Sequence, residues 1–378
     1  MTMRIVFRTD ASLQMGSGHV MRCLTLADAL KAKGADCHFI SREHPGHLLE
    51  VIRQRGYQVN SLLAQSPPGL PAIKNIVKKS STLQQEPAHA AWLGSTWQTD
   101  AQETAPILAS LQPDWLVVDH YALDQRWEES LAPHYRKLLV IDDLADRPHC
   151  CELLLDQNLG SQPEHYAQWV PAHCQVLTGP HYALLRPEFA ALQPYSLQRR
   201  LAQPALYHLL ITMGGVDQPN ATGQVLRALK ACALPADCRI TVVMGLTAPW
   251  LQNVRELAEQ MPWPTEVVVN ASDMAQRMAD SDLAIGAAGS TSWERCCLGL
   301  PTLMVVLAEN QQAAAQALEG ANAARLIGDV SDIAAQLPLA VRKLINSDFQ
   351  SRMSLAASAI TDGQGTEKIL NAMGVVNA

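Results

Sequence analysis

The sequence predicts an α/β protein of two domains, each a parallel sheet covered by helices on both faces, with a ligand cleft between them. Three observations carry this. The chain has 378 residues, enough for two cores of about 150–200 residues each. Short, continuously apolar runs alternate with helical segments, the pattern of strands buried on both faces of a parallel sheet. The alternation then starts afresh after a proline-bearing stretch, Arg186 to Pro204. That stretch is read as a linker between a first domain, residues 1–190, and a second, residues 205–378.

In the first domain, Arg4 to Arg8 reads as a strand and Val20 to Lys33 as a helix closed by Gly34, since glycine suits the left-handed C-cap. Asp36 to Ile40 is a second strand, and His47 to Gln54 a helix closed by Gly56. The stretch from Ser61 towards Asp100 begins as an irregular insertion around Ser66-Pro67-Pro68-Gly69, and Gln102 to Leu111 is helical. Trp115 to Asp119, Lys137 to Asp142 and Leu153 to Asp156 are apolar runs ending in aspartate. The second domain opens on a strand, Tyr207 to Met213, then a helix, Ala221 to Ala231. Strands Arg239 to Met244, Glu266 to Val269, Leu283 to Gly286 and Thr302 to Val306 alternate with helices Trp250 to Gln260, Met274 to Asp280 and Thr291 to Leu298. Helices Gln311 to Glu319 and Ile333 to Asn346 follow, and the segment after Ser347 is expected to fold back on the first domain.

Composition narrows the function. Hydrophobic residues make up 48% and charged residues 17%, which excludes disorder as the main state. A net charge of −7 argues against a general nucleic-acid binder. The first residues read as a strand rather than a leader, and no apolar run reaches the ~20 residues of a membrane helix. Nine scattered cysteines without a Cys-x-x-Cys pair speak against a zinc site. A cytoplasmic protein without membrane or nucleic-acid partners is expected.

Three motifs carry candidate chemistry. Gly16-Ser17-Gly18-His19-Val20-Met21-Arg22 follows the first strand and opens a helix. Its glycines let a ligand approach the backbone, and a helix start favours an anion and the neutral, base-competent form of an imidazole. Arg22 falls one turn later on the same face. Asp10, Asp119, Asp142 and Asp143 stand at strand ends that converge on the crevice, and any one of them has the chemistry to orient His19. Met213-Gly214-Gly215-Val216-Asp217, with Asn220, is the strand-to-helix turn of the second domain. Gly286-Ala287-Ala288-Gly289-Ser290-Thr291-Ser292-Trp293-Glu294 is a small-residue loop whose N–H groups and hydroxyls suit a diphosphate. Glu294 lies one turn on, where a carboxylate accepts from ribose hydroxyls; Asn310 and Gln311 suit sugar hydroxyl or acetamido groups, and Asn310 also suits a helix N-cap.

On these residues the chain resembles the UDP-2,4-diacetamido-2,4,6-trideoxy-β-L-altropyranose hydrolases of bacterial pseudaminic acid synthesis, over nearly its whole length. The resemblance is carried by Arg8-Thr9-Asp10-Ala11-Ser12 with Gly16 to Cys23, Trp92-Leu93-Gly94 with Asp100-Ala101, Val118 to Tyr121 and Ile141 to Ala145. Asp156-Gln157-Asn158, Gly179-Pro180 with Tyr182 to Arg186, Gly214 to Asp217, Gly289 to Glu294 and Glu309-Asn310-Gln311 extend it. It implies a GT-B fold, two Rossmann-like domains like those of the lipid-II-forming N-acetylglucosaminyltransferase. It implies that His19 activates water for inverting attack at the anomeric carbon, with Tyr121 nearby and Asp10, Gly16, Gly18 and Arg22 in support. Gly214, Gly215, Gly289, Ser290, Thr291 and Glu294 would hold UDP, and Asn310 and Gln311 the sugar. The implied substrate is a small-molecule UDP-sugar, with neither metal nor other cofactor. Ser95-Thr96-Trp97-Gln98-Thr99 departs from the family's more acidic, glutamine-rich stretch.

Three rival readings share the fold. A UDP-sugar glycosyltransferase needs an acceptor, and the basic-apolar amphipathic stretch of a lipid-acceptor enzyme is not seen. A nucleotide-sugar binding protein would bind without turnover. An epimerase would need carboxylates such as Asp10, Asp119 or Glu294 at the anomeric centre.

Overall fold

The computed structural model describes residues 2–64, 86–202, 206–344 and 347–375. Ser66 to Gly69, Pro204 and Asn346, which figure in the sequence reading, lie outside them. The first sheet has seven strands: β1 (Arg4–Thr9), β2 (Asp36–Arg42), β3 (Gln58–Leu62), β4 (Trp115–Asp119), β5 (Lys137–Ile141), β6 (Leu153–Asp156) and β7 (Gln175–Thr178). They lie in the order β3-β2-β1-β4-β5-β6-β7. The second has six: β8 (His208–Thr212), β9 (Arg239–Met244), β10 (Thr265–Val269), β11 (Leu283–Ala287), β12 (Thr302–Val306) and β13 (Arg325–Asp329), in the order β10-β9-β8-β11-β12-β13. All the strand pairings are parallel. The two-domain, parallel-sheet architecture is as the alternation predicts.

Helices of the first half are α1 (Gly18–Ala32), α2 (Leu49–Gln54), α3 (Trp97–Leu111) and α4 (Gln125–Leu131). Next come α5 (Pro187–Ala202), α6 (Ala221–Leu229), α7 (Leu251–Glu259), α8 (Met274–Asp280), α9 (Thr291–Cys297) and α10 (Gln312–Gly320). The chain continues through α11 (Ile333–Leu344), α12 (Ser347–Ser358) and α13 (Gly365–Ala372). Most bounds coincide with the expected ones, and nearly all the others differ by one or two residues. α3 begins five residues early because Thr96 caps it, its side chain accepting from the Thr99 N–H.

The stretch expected to be a linker is the 16-residue helix α5. Pro187 sits at its first position, where a missing N–H costs nothing. Phe189 is buried with Trp293 and Leu298 in the core of the second domain. Arg200 turns inward and donates to the carbonyls of Met278, Ser281 and Leu298 at 2.7–3.0 Å, satisfying the C-terminal ends of α8 and α9. The arginines of this segment thus anchor it to the second domain, and residue 190 lies inside a helix rather than at a domain edge.

The chain crosses back after α12. Gly365 comes so near the Ala183 carbonyl that a Cβ would lie 2.3 Å from its oxygen. α13 then buries Ile369, Leu370 and Met373 among Ile5, Phe7, Val20 and Leu24. The core of the first domain therefore includes residues from the far end of the sequence.

Candidate active site

In each sheet the strand order reverses between two neighbours, β1 and β4 in the first and β8 and β11 in the second. Loops diverge there and leave a crevice at the strand C-terminal ends. The β1–α1 loop, the residues after β4, and the loops after β8 and β11 carry the three motifs. They face one another across the domains. A Cβ built at Gly18 would lie 3.7 Å from Ser290 Oγ, and one at Gly215 would lie 3.2 Å from Ser17 Oγ. Gly16, with φ +77°, closes a turn in which its N–H donates to the Ser12 carbonyl at 2.9 Å.

His19, in the first turn of α1, is 7% exposed. Its Nδ1 lies 2.6 Å from Asp119 Oδ1, so Asp119 is the strand-end acid that orients it. Arg22 donates to both oxygens of Asp119, from Nε to Oδ2 at 2.6 Å and from Nη2 to Oδ1 at 2.7 Å. Burial alone would raise the Asp119 carboxyl; the Arg22 guanidinium and His19 overcome it and hold the group well below the usual carboxylate range. An ionised Asp119 accepts, so Nδ1 carries the proton. Nε2 then bears the lone pair, and among the described residues it makes no hydrogen bond. Asp143 Oδ2 accepts from Arg22 Nη1 and from the Tyr121 hydroxyl, each at 2.7 Å. The Tyr121 ring stands edge-on to His19 with centroids 4.6 Å apart. Burial, then Asp143, push its phenol well up, so it stays a neutral donor.

His89 and Trp92 continue this wall, with ring centroids 5.6 and 5.9 Å from Tyr121. The sequence reading has Trp92 only as part of a motif, Asp143 only as one of several strand-end acids, and does not single out His89; it does not say which acid Arg22 meets. Only the i, i+3 spacing of His19 and Arg22 hinted at the last.

Asp10 is not brought to His19. Its carboxylate is fully buried and accepts from Arg8 Nη1 at 2.5 Å and from the Arg42 N–H at 2.7 Å. His120 Nδ1 accepts the Ala122 N–H, which leaves its protonated Nε2 3.2 Å from Asp10 Oδ2. Arg8 also binds Asp100 at 2.6 Å. This network ties β1 to β2 and α3.

In the second domain, Gly214 has φ +82°. Asp217 accepts from the Ala221 and Thr222 N–H groups at 2.8 and 2.9 Å, and Asn220 from Gly223, so both cap α6. Ser290 precedes α9 without capping it. Among the described residues Glu294 has one distant ion pair, 4.0 Å from Arg186, and burial raises its carboxyl against that arginine. Gln311 Oε1 accepts the Leu307 N–H at 3.0 Å, while its Nε2 would stand 3.7 Å from a Cβ at Gly289. Asn310 is exposed, and Ala308 rather than Asn310 precedes the short 3-10 turn there. The candidate anion loop and Gln311 thus lie together, and the loop stands against Gly18, the residue before His19.

Asp156, at the end of β6, accepts from Ser161 Oγ at 2.5 Å and from Tyr166 at 3.0 Å. Burial and the nearby Asp143 push its carboxyl up to about 7. Between about pH 4 and 7 the unfolded chain has lost this proton and the folded chain has kept it. Asp156 therefore costs stability that grows across that window and stays constant above it. Asp156→Asn is expected to raise Tm at pH 8 and to leave it near wild type at pH 4. Equal shifts at both pH values in thermal melts would contradict this.

The fold defines the class: a GT-B protein, two Rossmann-like domains with a crevice between them. The chain aligns with Acinetobacter baumannii MurG at a TM-score of 0.68 and 15% identity, covering 99% of this chain and 100% of that one. Residues 208–368 match the glycosyltransferase family 28 C-terminal domain. Among curated proteins, the chain is 24% identical over 314 residues to the UDP-2,4-diacetamido-2,4,6-trideoxy-β-L-altropyranose hydrolase of Campylobacter jejuni, covering 83% of this chain and 95% of that protein. It is 23% identical to an uncharacterised Methanocaldococcus jannaschii protein, of whose length it spans 56%. The chain is thus similar to the Campylobacter hydrolase over most of its length, and its second domain to the family 28 glycosyltransferases. No helix among the described residues is long and apolar enough to cross a membrane.

Proposed function

We propose that this protein hydrolyses a UDP-activated 2,4-diacetamido-2,4,6-trideoxy sugar, releasing UDP, without metal. The observation that carries the proposal is the His19–Asp119–Arg22 arrangement at the mouth of the cleft. A carboxylate kept ionised by a bidentate arginine fixes the imidazole with its Nε2 lone pair free. That nitrogen takes a proton from water as the oxygen attacks the anomeric carbon, and the bond to the β-phosphate oxygen breaks with inversion. A diphosphate is a good leaving group and needs less acid assistance than an ordinary glycoside. The Gly289–Thr291 loop and Gly214–Gly215 would receive it and Glu294 the ribose. Asn310, Gln311 and the His89–Trp92–Tyr121 wall would meet the acetamido groups and the apolar 6-methyl. Asp10 supports the site from beneath, by holding the loop after β1. The kinship with the Campylobacter hydrolase supports this substrate class.

The test is UDP release from the UDP-linked diacetamido-trideoxy-altrose, without acceptor and with EDTA present. Steady multiple-turnover release is expected. Binding without release would sink the hydrolase reading. Release only on adding a second sugar would favour a glycosyltransferase, a reading the family 28 domain also supports.

A further inference from the structure

We propose that Arg295 is the fixed counter-charge of the loop 286–291, a positioning residue that draws a diphosphate into this loop without touching it. The inference rests on the nucleotide-sugar reading and deepens it.

The side chain runs back from α9 beneath the loop and is 1% exposed. Nη2 donates to the Ala287 carbonyl at 2.7 Å and to Ser292 Oγ at 3.0 Å, and Nη1 to Thr291 Oγ1 at 3.1 Å. Nε is buried without a partner. All these acceptors are neutral. Among the described residues no carboxylate forms an ion pair with this guanidinium; the adjacent Glu294 acts on it only at longer range and stands 4.0 Å from Arg186. The contrast with the other deeply buried arginines is informative. Arg8, Arg22, Arg42 and Arg147 are each held by an aspartate. Arg200 lies at the carbonyl ends of two helices, where partial charge is negative. Arg295 instead lies under the start of α9, where the partial charge is positive.

A buried cation without a directly paired anion is costly to maintain, yet the fold makes room for this one. Position 286 is glycine, and a Cβ there would lie 2.6 Å from Arg295 Nη1. Burial pushes the guanidinium down only to about 10, so it is charged at neutral pH. Because Nη1 donates to Thr291, that hydroxyl's own hydrogen is free to point at a ligand oxygen. Ser290 and Gly289 border the same loop, facing Gly18 and Gln311. The missing anion is thus a ligand's, seated on the cleft side of the loop, and its chemistry is that of a nucleoside diphosphate.

The experiment compares UDP and uridine binding by calorimetry in wild type, Arg295→Gln, Arg295→Lys and Gly286→Ala. Losing the charge is expected to weaken UDP about tenfold or more, from an unscreened interaction through protein. Uridine affinity should not change. Arg295→Lys, which keeps the charge, should restore UDP affinity to within about threefold of wild type. Gly286→Ala, which displaces the guanidinium, should weaken UDP and spare uridine, and it serves if Arg295→Gln does not fold. Parallel loss of UDP and uridine would make Arg295 a structural prop and overturn the proposal. So would wild-type UDP affinity in Arg295→Gln, or an equal UDP loss in the lysine variant. A wild type that binds no UDP would instead overturn the nucleotide-sugar reading itself.

Discussion

Replacing His19 with alanine is expected to lower UDP release by about 100-fold or more, the contribution of one positioned general base, while UDP affinity stays within about threefold of wild type. Among the groups packed directly against His19 or its Asp119, none is free to take over. Asp119 is engaged by Arg22, and a carboxylate held so far below its usual range is a poor proton acceptor. The Tyr121 phenol is held protonated. His120 points its protonated nitrogen at Asp10. Alanine is a strong helix former, so the start of α1 should survive. Initial rates of UDP release, paired with calorimetric UDP affinity, provide the check. A variant retaining more than roughly a tenth of the wild-type rate would remove His19 from the role of base.

Asp119→Asn is expected to lower kcat by about 10²–10⁴, with KM little changed. If the asparagine oxygen keeps facing Arg22, its NH₂ faces Nδ1 of His19. Nδ1 must then accept, the ring proton moves to Nε2, and the lone pair that would take a proton from water is lost. Arg22 keeps Asp143 as a partner at 2.7 Å, so the helix should not lose its anchor. The double variant with His19→Ala should be no slower than His19→Ala alone, because both changes disable one unit. Multiplicative losses in that cycle would mean that Asp119 acts independently of the imidazole.

Much of the fold was legible because its central strands are buried on both faces. β4 and β12 are continuous apolar runs, and the bounds read from sequence coincide with those observed. Three edge strands, β3, β7 and β13, were missed. β3 is Gln-Val-Asn-Ser-Leu, with one face towards solvent, so apolar character cannot mark it. α5 was misread because prolines usually break helices, while its stabilising features, the burial of Phe189 and the hydrogen bonds of Arg200, are tertiary. At the site, the glycine loops and His19 stood out. The choice of Asp119 over Asp10, Asp142 and Asp143 did not, because four acids at three strand ends look alike until the register sets Asp119 beside Thr9. Arg295 is hidden for the same reason: one arginine on a short helix says nothing of which charges surround it.

The return of α13 to the first core imposes an order on biosynthesis. The last strand of that sheet, ending at Thr178, is made long before Gly365. The residues that cover Ile5, Phe7 and Val20 leave the ribosome about 190 residues after it, roughly 10–40 s later at ordinary translation rates. Until then an apolar face of the nascent first domain lies bare, a binding place for chaperones. The His19 helix packs on that face, so the first domain reaches its final form only when the second is already complete.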